Sequence, residues 1–271
     1  MQTVLVDAPS SLERLLRRDR LVIGFGLAVL TVLSWAYLVR MAGGMRSAAV
    51  EAEMHAAMGM PGMGAWGVAD SVALFLMWAV MMVGMMLPSS APVILLMLAV
   101  YRRRGDRHAR LSAAAFVSGY LLAWTMFSLA ASAAQVGLHQ AALLSPEMAS
   151  GSATLAGAIL LIAGVYQWLP LKNRCLTHCQ SPLGFLARHW QEGAKGGLMM
   201  GLRHGISCVG CCWALMTLLF VVGVMNLMWV AAIAAFVLVE KLLPQGARVG
   251  RVAGGLLMVW GTYVLIRSAA G

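Results

Sequence analysis

The chain has 271 residues, of which 61% are hydrophobic and 11% are charged, and its mean hydropathy is +0.81. A soluble domain of this length could not cover so much apolar side-chain surface with so few charges, so the composition predicts an integral membrane protein. The formal net charge is +10, but the basic residues form short clusters between apolar runs, which argues against a nucleic-acid-binding surface.

Seven apolar runs predict an all-α fold, namely a polytopic bundle of transmembrane helices. The length of each run is comparable to the roughly 20 residues with which a helix crosses the hydrocarbon core of a bilayer. The break at Met225-Asn226-Leu227 divides one long apolar stretch, so six spans are the alternative to seven. The predicted spans are residues 21–39, 71–98, 111–137, 151–169, 197–225, 227–242 and 253–268.

The loops between these runs differ in charge, which predicts the orientation of the bundle. The loops 40–70 and 138–150 carry few basic residues, and basic clusters lie in the other connections, at 14–20, 102–110, 172–195 and 241–251. By the positive-inside rule, the N-terminus is cytoplasmic and the C-terminus is outside. We predict a cytoplasmic basic N-terminus over residues 1–20 and one transmembrane helical domain over 21–271. No cleavable signal peptide is apparent in the first ten residues.

The predicted outside loop 40–70 contains a methionine-rich stretch, "MHAAMGMPGMGAW". Its glycines and Pro61 argue against a regular helix there. Thioether sulfur is a soft ligand that suits Cu(I) or Ag(I). The alternative is a surface loop whose methionines bind no metal. Under either interpretation the side chains concerned are Met54, His55, Met58, Met60 and Met63.

A second group of methionines lies in the second span. Met77, Met81 and Met85 share one stripe of a helix with Pro88 and Pro92. Prolines kink a membrane helix and free backbone carbonyls, as in helices that line transport pathways. Ordinary core packing explains a methionine stripe equally well. Met82 and Met86 extend the thioether surface round the helix. Ser89 and Ser90, between the prolines, can satisfy some of the freed carbonyls.

All five cysteines lie in one part of the chain. Cys175 and Cys179 flank His178 in "CLTHC", in the loop after the fourth span. The other three follow His204 in the fifth span, at Cys208, Cys211 and Cys212. The predicted topology places them all on the reducing side, so we expect no disulfide framework.

Helical geometry places His204, Cys208 and Cys211 on one face of the fifth span, with Cys212 slightly further round. Gly197, Gly201 and Gly205 share that face and would let another helix approach closely. If "CLTHC" forms a helical turn beside it, a Cys/His cluster could assemble from two segments. Thiolate and imidazole are ligands of Cu(I), Zn(II) and Fe–S centres. The alternative is that the cysteines are small packing residues.

Glu240 and Lys241 end the sixth span. Charged groups at a membrane boundary can extend to the interface, so an interfacial ion pair is the simpler interpretation. The alternative is that Glu240 points inward and acts as a base close to the cysteines.

Several blocks of the chain resemble a bacterial family known as predicted metal-binding integral membrane proteins. The blocks are "MWAVMMVGMMLPSSAP", "YQWLPLKNRCLTHCQSP", "GLRHGISCVGCCWALMTLLFVVGVMNLMWV" and "EK" at Glu240-Lys241. The resemblance implies metal binding in the bacterial inner (cytoplasmic) membrane, without naming a reaction. It implies as motif positions Cys175, Cys179, His204, Cys208, Cys211 and Cys212, together with Trp78, Pro88, Lys172 and Glu240.

The function predicted from these features is binding of a soft metal ion, with copper as Cu(I) first and zinc second, for uptake, transfer or transport. The alternatives are a thiol-redox or metalloenzyme assembly factor and a non-catalytic scaffold subunit. We find no phosphate loop, Ser/His/Asp set or paired intramembrane carboxylates, so we expect no ATP-driven pump and no hydrolase. The expected partners are the lipid bilayer and a second copy of the chain or a membrane metalloenzyme. The predicted ligands are Cys175, His178, Cys179, His204, Cys208, Cys211, Cys212, Met77, Met81 and Met85.

Overall fold

The computed structural model describes residues 11–57, 67–141, 143 and 150–270, and within these ranges all regular structure is helical. The prediction of an all-α protein is therefore confirmed. The helices are α1 (Ser11–Ala57), α2 (Val68–Arg103), α3 (Ala109–Gln140), α4 (Ala153–Tyr166), α5 (Pro170–Gln180), α6 (Pro182–His189), α7 (Gly193–Met216), α8 (Leu219–Val222), α9 (Leu227–Leu242) and α10 (Gly246–Ala270).

Five helical segments in the described ranges are long and apolar enough to cross a membrane. The pair α4 and α5, bent by 64°, adds a sixth if it counts as one broken span. The predicted span 227–242 coincides with α9, but its 16 residues are few for a complete crossing. The structure thus supports five or six spans by length and composition, and not the full count of seven. The five segments are Arg18–Gly44, Val68–Arg103, Ala109–Gln140, Gly193–Val222 and Gly246–Ala269.

The segment 40–70, expected to be a loop, is helical as far as Ala57. Gly43 and Gly44 lie inside the helix, and Gly59 and Pro61 follow its end. The residues between Met45 and Ala57 are rich in alanine, glutamate and methionine, which favour a helix. Met54 and His55 therefore belong to α1. The other predicted thioether ligands of this segment, Met58, Met60 and Met63, lie outside the described residues.

Interhelical contacts give each helix a direction. The side chain of Asp19 contacts Arg102, and Trp35 contacts Gly84, so α1 and α2 are antiparallel. Similar contacts make α2 and α3 antiparallel, α3 and α7 parallel, and α4 antiparallel to both α7 and α10. The end of α9 lies beside Cys208 and its start follows α8, so α9 is antiparallel to α7. Counting α4–α5 and α7–α8 as one pass each, the described chain passes through the bundle seven times.

The glycine face predicted on α7 packs directly against α3. A Cβ atom on Gly197 or Gly201 would overlap the backbone of α3, and one on Gly205 would lie 2.7 Å from Ala123 Cβ. The predicted close approach is confirmed, and α3 is the partner. Because the two backbones are so near, the cysteine face of α7 is held next to Tyr120 of α3.

Helix α2 continues through both of its prolines. Pro88 cannot donate to the carbonyl of Gly84, and the indole Nε1 of Trp35 donates to that oxygen instead, at 3.3 Å. The hydroxyls of Ser89 and Ser90 each donate to a carbonyl three residues earlier, at 2.8 Å. The carbonyl of Gly84 is thus satisfied inside the bundle by Trp35, whereas the two serines bond to Met86 and Leu87 and not to the carbonyls that the prolines free.

A buried carboxylate on α1 fixes the basic end of the bundle. Asp19 is fully buried and accepts hydrogen bonds from Arg102 Nε at 2.5 Å and from Arg110 Nε at 2.7 Å. Two arginines around one buried carboxylate compensate for its desolvation. The α2–α3 connection is thereby attached to α1, which the charge pattern of the sequence alone did not predict.

Candidate metal centre

The helix α5 carries the "CLTHC" segment to the middle of α7. Helix α4 ends at Tyr166, and Pro170 begins α5 after the bend, in the first-turn position that proline favours. The two sulfur atoms Cys179 Sγ and Cys211 Sγ lie 4.0 Å apart. A Cβ atom at position 210 would lie 2.8 Å from Cys175 Sγ, so any larger residue there would displace the Cys175 sulfur. The structure thus brings the two cysteine-bearing segments into contact.

The three cysteines of α7 are buried, each about 1% exposed. The thiols of Cys211 and Cys212 donate to the carbonyl oxygen of Cys208, at 3.1 and 3.0 Å. Cys212 Sγ also lies 3.9 Å from Met86 Sδ of α2. We call Cys179, Cys208, Cys211, Cys212 and Met86 the sulfur pocket.

Cys208 has a positively charged neighbour. Lys241 Nζ donates to Cys208 Sγ at 2.9 Å and to Ser89 Oγ at 2.9 Å. The hydroxyl of Tyr120 lies 3.1 Å from the same sulfur and donates to the carbonyl of Met86. Lys241 is only 6% exposed, and a buried ammonium needs a counter-charge. A thiolate at Cys208 would supply it.

Glu240 and Lys241 do not form the expected interfacial pair, because both are buried and they face different partners. Glu240 forms a buried ion pair with Lys172 of α5, and Lys172 also donates to Gln167 Oε1. Gln180 Nε2 donates to the backbone carbonyl of Glu240 at 2.9 Å. Adjacent residues on a helix point about 100° apart, so α9 reaches the ion pair with Glu240 and the sulfur pocket with Lys241. The carboxylate of Glu240 is thus engaged by Lys172.

The predicted histidine ligand His204 is 2% exposed and packs among aromatic rings. Its ring centroid lies 5.9 Å from Phe116, 5.8 Å from Tyr120 and 5.1 Å from Phe185. Its Nδ1 atom is buried and has no hydrogen-bond partner among the described residues. Such an atom costs about 1–3 kcal/mol when it stays unsatisfied. His178 is half-buried on α5, and its Nδ1 bonds to the carbonyl of Arg174.

The predicted methionines Met77, Met81 and Met85 are all buried in the core cluster that includes the α7 cysteines. Among the methionines of α2, however, the one whose sulfur contacts a cysteine is Met86. Residue 86 lies one position round the helix from residue 85, on the side of α2 that contacts Cys212 of α7. Which methionine of α2 contacts α7 could not be predicted from the helical pattern alone.

These groups approach one another in pairs. In the described ranges, no set of three or more His, Cys, Asp or Glu side chains is arranged to hold a metal ion. Two sulfurs that bind one ion at about 2.3 Å each lie within about 4.6 Å of one another. The 4.0 Å between Cys179 Sγ and Cys211 Sγ meets that limit.

Three neighbours of the site were not predicted from the sequence: Tyr120, Gln167 and the role of Lys241. Lys241 carried a signal, because a charged pair after the apolar run of α9 is expensive to bury and needs partners. Tyr120 and Gln167 are ordinary residues in apolar surroundings, and only the packing of α3 and α4 shows what they contact.

No curated protein and no solved structure matches the chain. A family model described as "PpoB2: Copper chaperone" does match, over residues 75–264. The matched range contains α2 from Phe75 onward, all five cysteines and the buried residues around them, and it excludes α1. Since the match covers more than half of the chain, this protein belongs to the PpoB2 family of copper chaperones.

Proposed function

We propose that this copper chaperone is embedded in the bacterial cytoplasmic membrane and carries Cu(I) in its sulfur pocket. The outward faces of the first and last helices support membrane insertion. Phe25 on α1 and Val259 on α10 are each 72% exposed, and Leu256 is 69% exposed. Large apolar side chains in such numbers on long helices are suited to lipid.

The observation that supports Cu(I) as the bound ion is the contact between Cys179 and Cys211. It joins two separate helices through soft sulfur atoms, which are ligands of Cu(I), Zn(II) and Fe–S centres. Structural zinc sites use four ligands in a tetrahedron, whereas Cu(I) accepts a pair. The pairwise arrangement in the described ranges therefore favours Cu(I) over zinc.

The charges around the pocket favour the same ion. A Cu(I) ion bound by two thiolates has one net negative charge, whereas Zn(II) bound by two thiolates is neutral. Lys241 places one positive charge at the pocket, and the neighbouring pair Lys172–Glu240 is already balanced. A bis-thiolate Cu(I) complex with Cys208 as one of its two ligands would therefore leave the buried charges compensated.

The exposure of the thiols suits transfer. Cys175 and Cys179 of α5 are half-buried, whereas Cys208, Cys211 and Cys212 are buried. A Cu(I) ion could pass from one group to the other by exchanging one sulfur ligand at a time, without being released into water. We propose that the recipient is a copper-requiring membrane enzyme or a second copy of the chain.

Elemental analysis of the purified full-length protein tests this proposal. Wild-type protein in detergent is expected to retain copper in excess of zinc, and Cys208→Ser with Cys211→Ser is expected to lose most of it. Ser207→Ala is the matched control, because Ser207 lies on the same helix and its hydroxyl donates an exposed hydrogen bond to the carbonyl of Arg203. Equal copper contents in the double variant and wild type would exclude the sulfur pocket as the site.

The same sulfur contact also supports a second candidate, a thiol-redox function. At 4.0 Å, Cys179 and Cys211 need a small shift to reach the S–S bond length of about 2.05 Å. Mass spectrometry of the protein purified without reductant separates the two functions. A Cys179–Cys211 disulfide in protein that holds no copper would favour redox chemistry, and free thiols with bound copper would favour the chaperone.

A further inference from the structure

Two histidines meet at the corner between α5 and α6. Each lies in the last turn of its helix, and the ring centroids of His178 and His189 are 6.2 Å apart at an interplanar angle of 53°. Both side chains are half-buried, so each contacts the protein on one side and remains accessible on the other. The pairing of His189 with His178 was not predicted from the sequence.

The backbone fixes the tautomer of both rings. His178 Nδ1 lies 2.9 Å from the carbonyl of Arg174, and His189 Nδ1 lies 3.1 Å from the carbonyl of Phe185. A carbonyl oxygen can only accept, so each Nδ1 carries the hydrogen, and in the neutral ring the lone pair is on Nε2. Histidines that bind metals are typically held in this way, with the other ring nitrogen on a carbonyl or carboxylate.

The histidine pair is continuous with the sulfur pocket through packed rings. Phe185 stacks on His189 at 5.0 Å and meets the edge of His204 at 5.1 Å. His204 is buried one helical turn before Cys208, with its Nδ1 unpartnered in the described part of the chain. A route of imidazole groups therefore leads from the half-buried corner of α5 and α6 to the cysteines.

We propose that His178 and His189 form a second copper site, at which the ion is received before it moves through His204 to the sulfur pocket. This inference rests on the proposed copper-carrying function and adds the loading site. Imidazole is a neutral ligand, and a thiolate is anionic and softer, so an ion held by the pair gains affinity as it moves inward. The exposed charges of Arg174 and Arg188 on the same helices weaken cation binding at the pair. Weak binding lets the copper ion leave this site for the sulfur pocket.

Electron paramagnetic resonance with Cu(II) as the probe tests the pair independently of the cysteines. In a full-length variant with all five cysteines changed to serine, Cu(II) is expected to give a signal with nitrogen hyperfine coupling, since imidazole suits Cu(II). Adding His178→Gln and His189→Gln should remove that signal, and adding His108→Gln, an exposed residue at the start of α3, should not. An unchanged signal in the His178/His189 variant overturns the proposal.

Metal-catalysed oxidation of the wild-type chain provides the second measurement, should the cysteine-free variant fail to fold. Copper with ascorbate oxidises the histidines that bind it, and peptide mass spectrometry is expected to find oxidation at His178 and His189 and not at His108. Oxidation equal at all three overturns the proposal.

The loading kinetics relate the pair to the sulfur pocket. The His178/His189 double variant is expected to take up Cu(I) from a chelator about tenfold more slowly, with unchanged copper content at the end. Unchanged kinetics would contradict the loading role. If wild-type protein held no copper in its cysteines, the proposed function would fail, but the resonance experiment would still test the pair.

Discussion

At the scale of single residues, Lys241 is the clearest link between the fold and the proposed chemistry. It lies near the end of an apolar helix, where a lysine could extend to an interface, yet its Nζ donates to Cys208 and Ser89 inside the bundle. A hydrogen bond to a ligating sulfur orients the ligand and adjusts its affinity for the metal. Under the proposed function, Lys241 is therefore a positioning residue for the sulfur pocket.

Replacing Lys241 by methionine should weaken Cu(I) binding by at least about tenfold. Methionine keeps the length of the side chain but removes the charge that compensates the anionic Cu(I)–thiolate complex. Competition with a chromogenic Cu(I) chelator measures the affinity. Lys241→Arg should retain most of it, and Lys195→Met, at an exposed lysine of α7, should match wild type. An affinity of Lys241→Met equal to that of wild type would exclude a role for this charge.

At the scale of helices, the buried pair Lys172–Glu240 joins α5 to α9. Both side chains are 1% exposed, so each charge depends on the other for compensation. The bend before α5 alone does not fix the orientation of that helix. The ion pair and the hydrogen bond from Gln180 to the Glu240 carbonyl hold α5 next to the end of α9.

Breaking this pair should destabilise the protein by about 3–5 kcal/mol, because one buried charge loses its partner. Lys172→Met or Glu240→Gln alone should show the loss as a lower free energy of unfolding in detergent. The double variant Lys172→Met, Glu240→Met should recover most of it, since two apolar side chains need no compensation. If the double variant is as unstable as the two single variants combined, the residues do not act as a pair.

The helices could be predicted from the sequence where their own residues carry a pattern, such as an apolar run or a regular glycine spacing. The bounds of α9 match the predicted span 227–242, and the glycine face of α7 indicated a close helix neighbour. Both features follow from local composition. The direction in which α5 points was not predictable, because it depends on Lys172 meeting Glu240, which is 68 residues away. The contacts of Met86, Tyr120 and Lys241 depend on packing in the same way.

At the scale of the whole molecule, the directions of the helices and their lengths give different counts of membrane crossings. Five or six segments are long enough to span a bilayer, whereas the described chain reverses direction often enough to make seven passes. The difference lies in α4–α5, which is bent, and in α9, which has 16 residues. Short or broken helices are acceptable at membrane depth where protein covers them, and both of these elements border the buried charges and thiols.

The parity of the crossings decides on which side of the membrane the C-terminus lies. Seven passes from a cytoplasmic N-terminus place the C-terminus outside, and six place it inside. We predict the first arrangement, because α10 runs parallel to α7 and α3, and the basic cluster at the start of α3 is expected to be cytoplasmic. In a bacterial host, alkaline phosphatase fused after residue 271 should therefore be active, and green fluorescent protein at the same position should be dark. A fluorescent C-terminal fusion would show an even number of crossings. In that case either α9 or the bent pair α4–α5 would not cross the membrane.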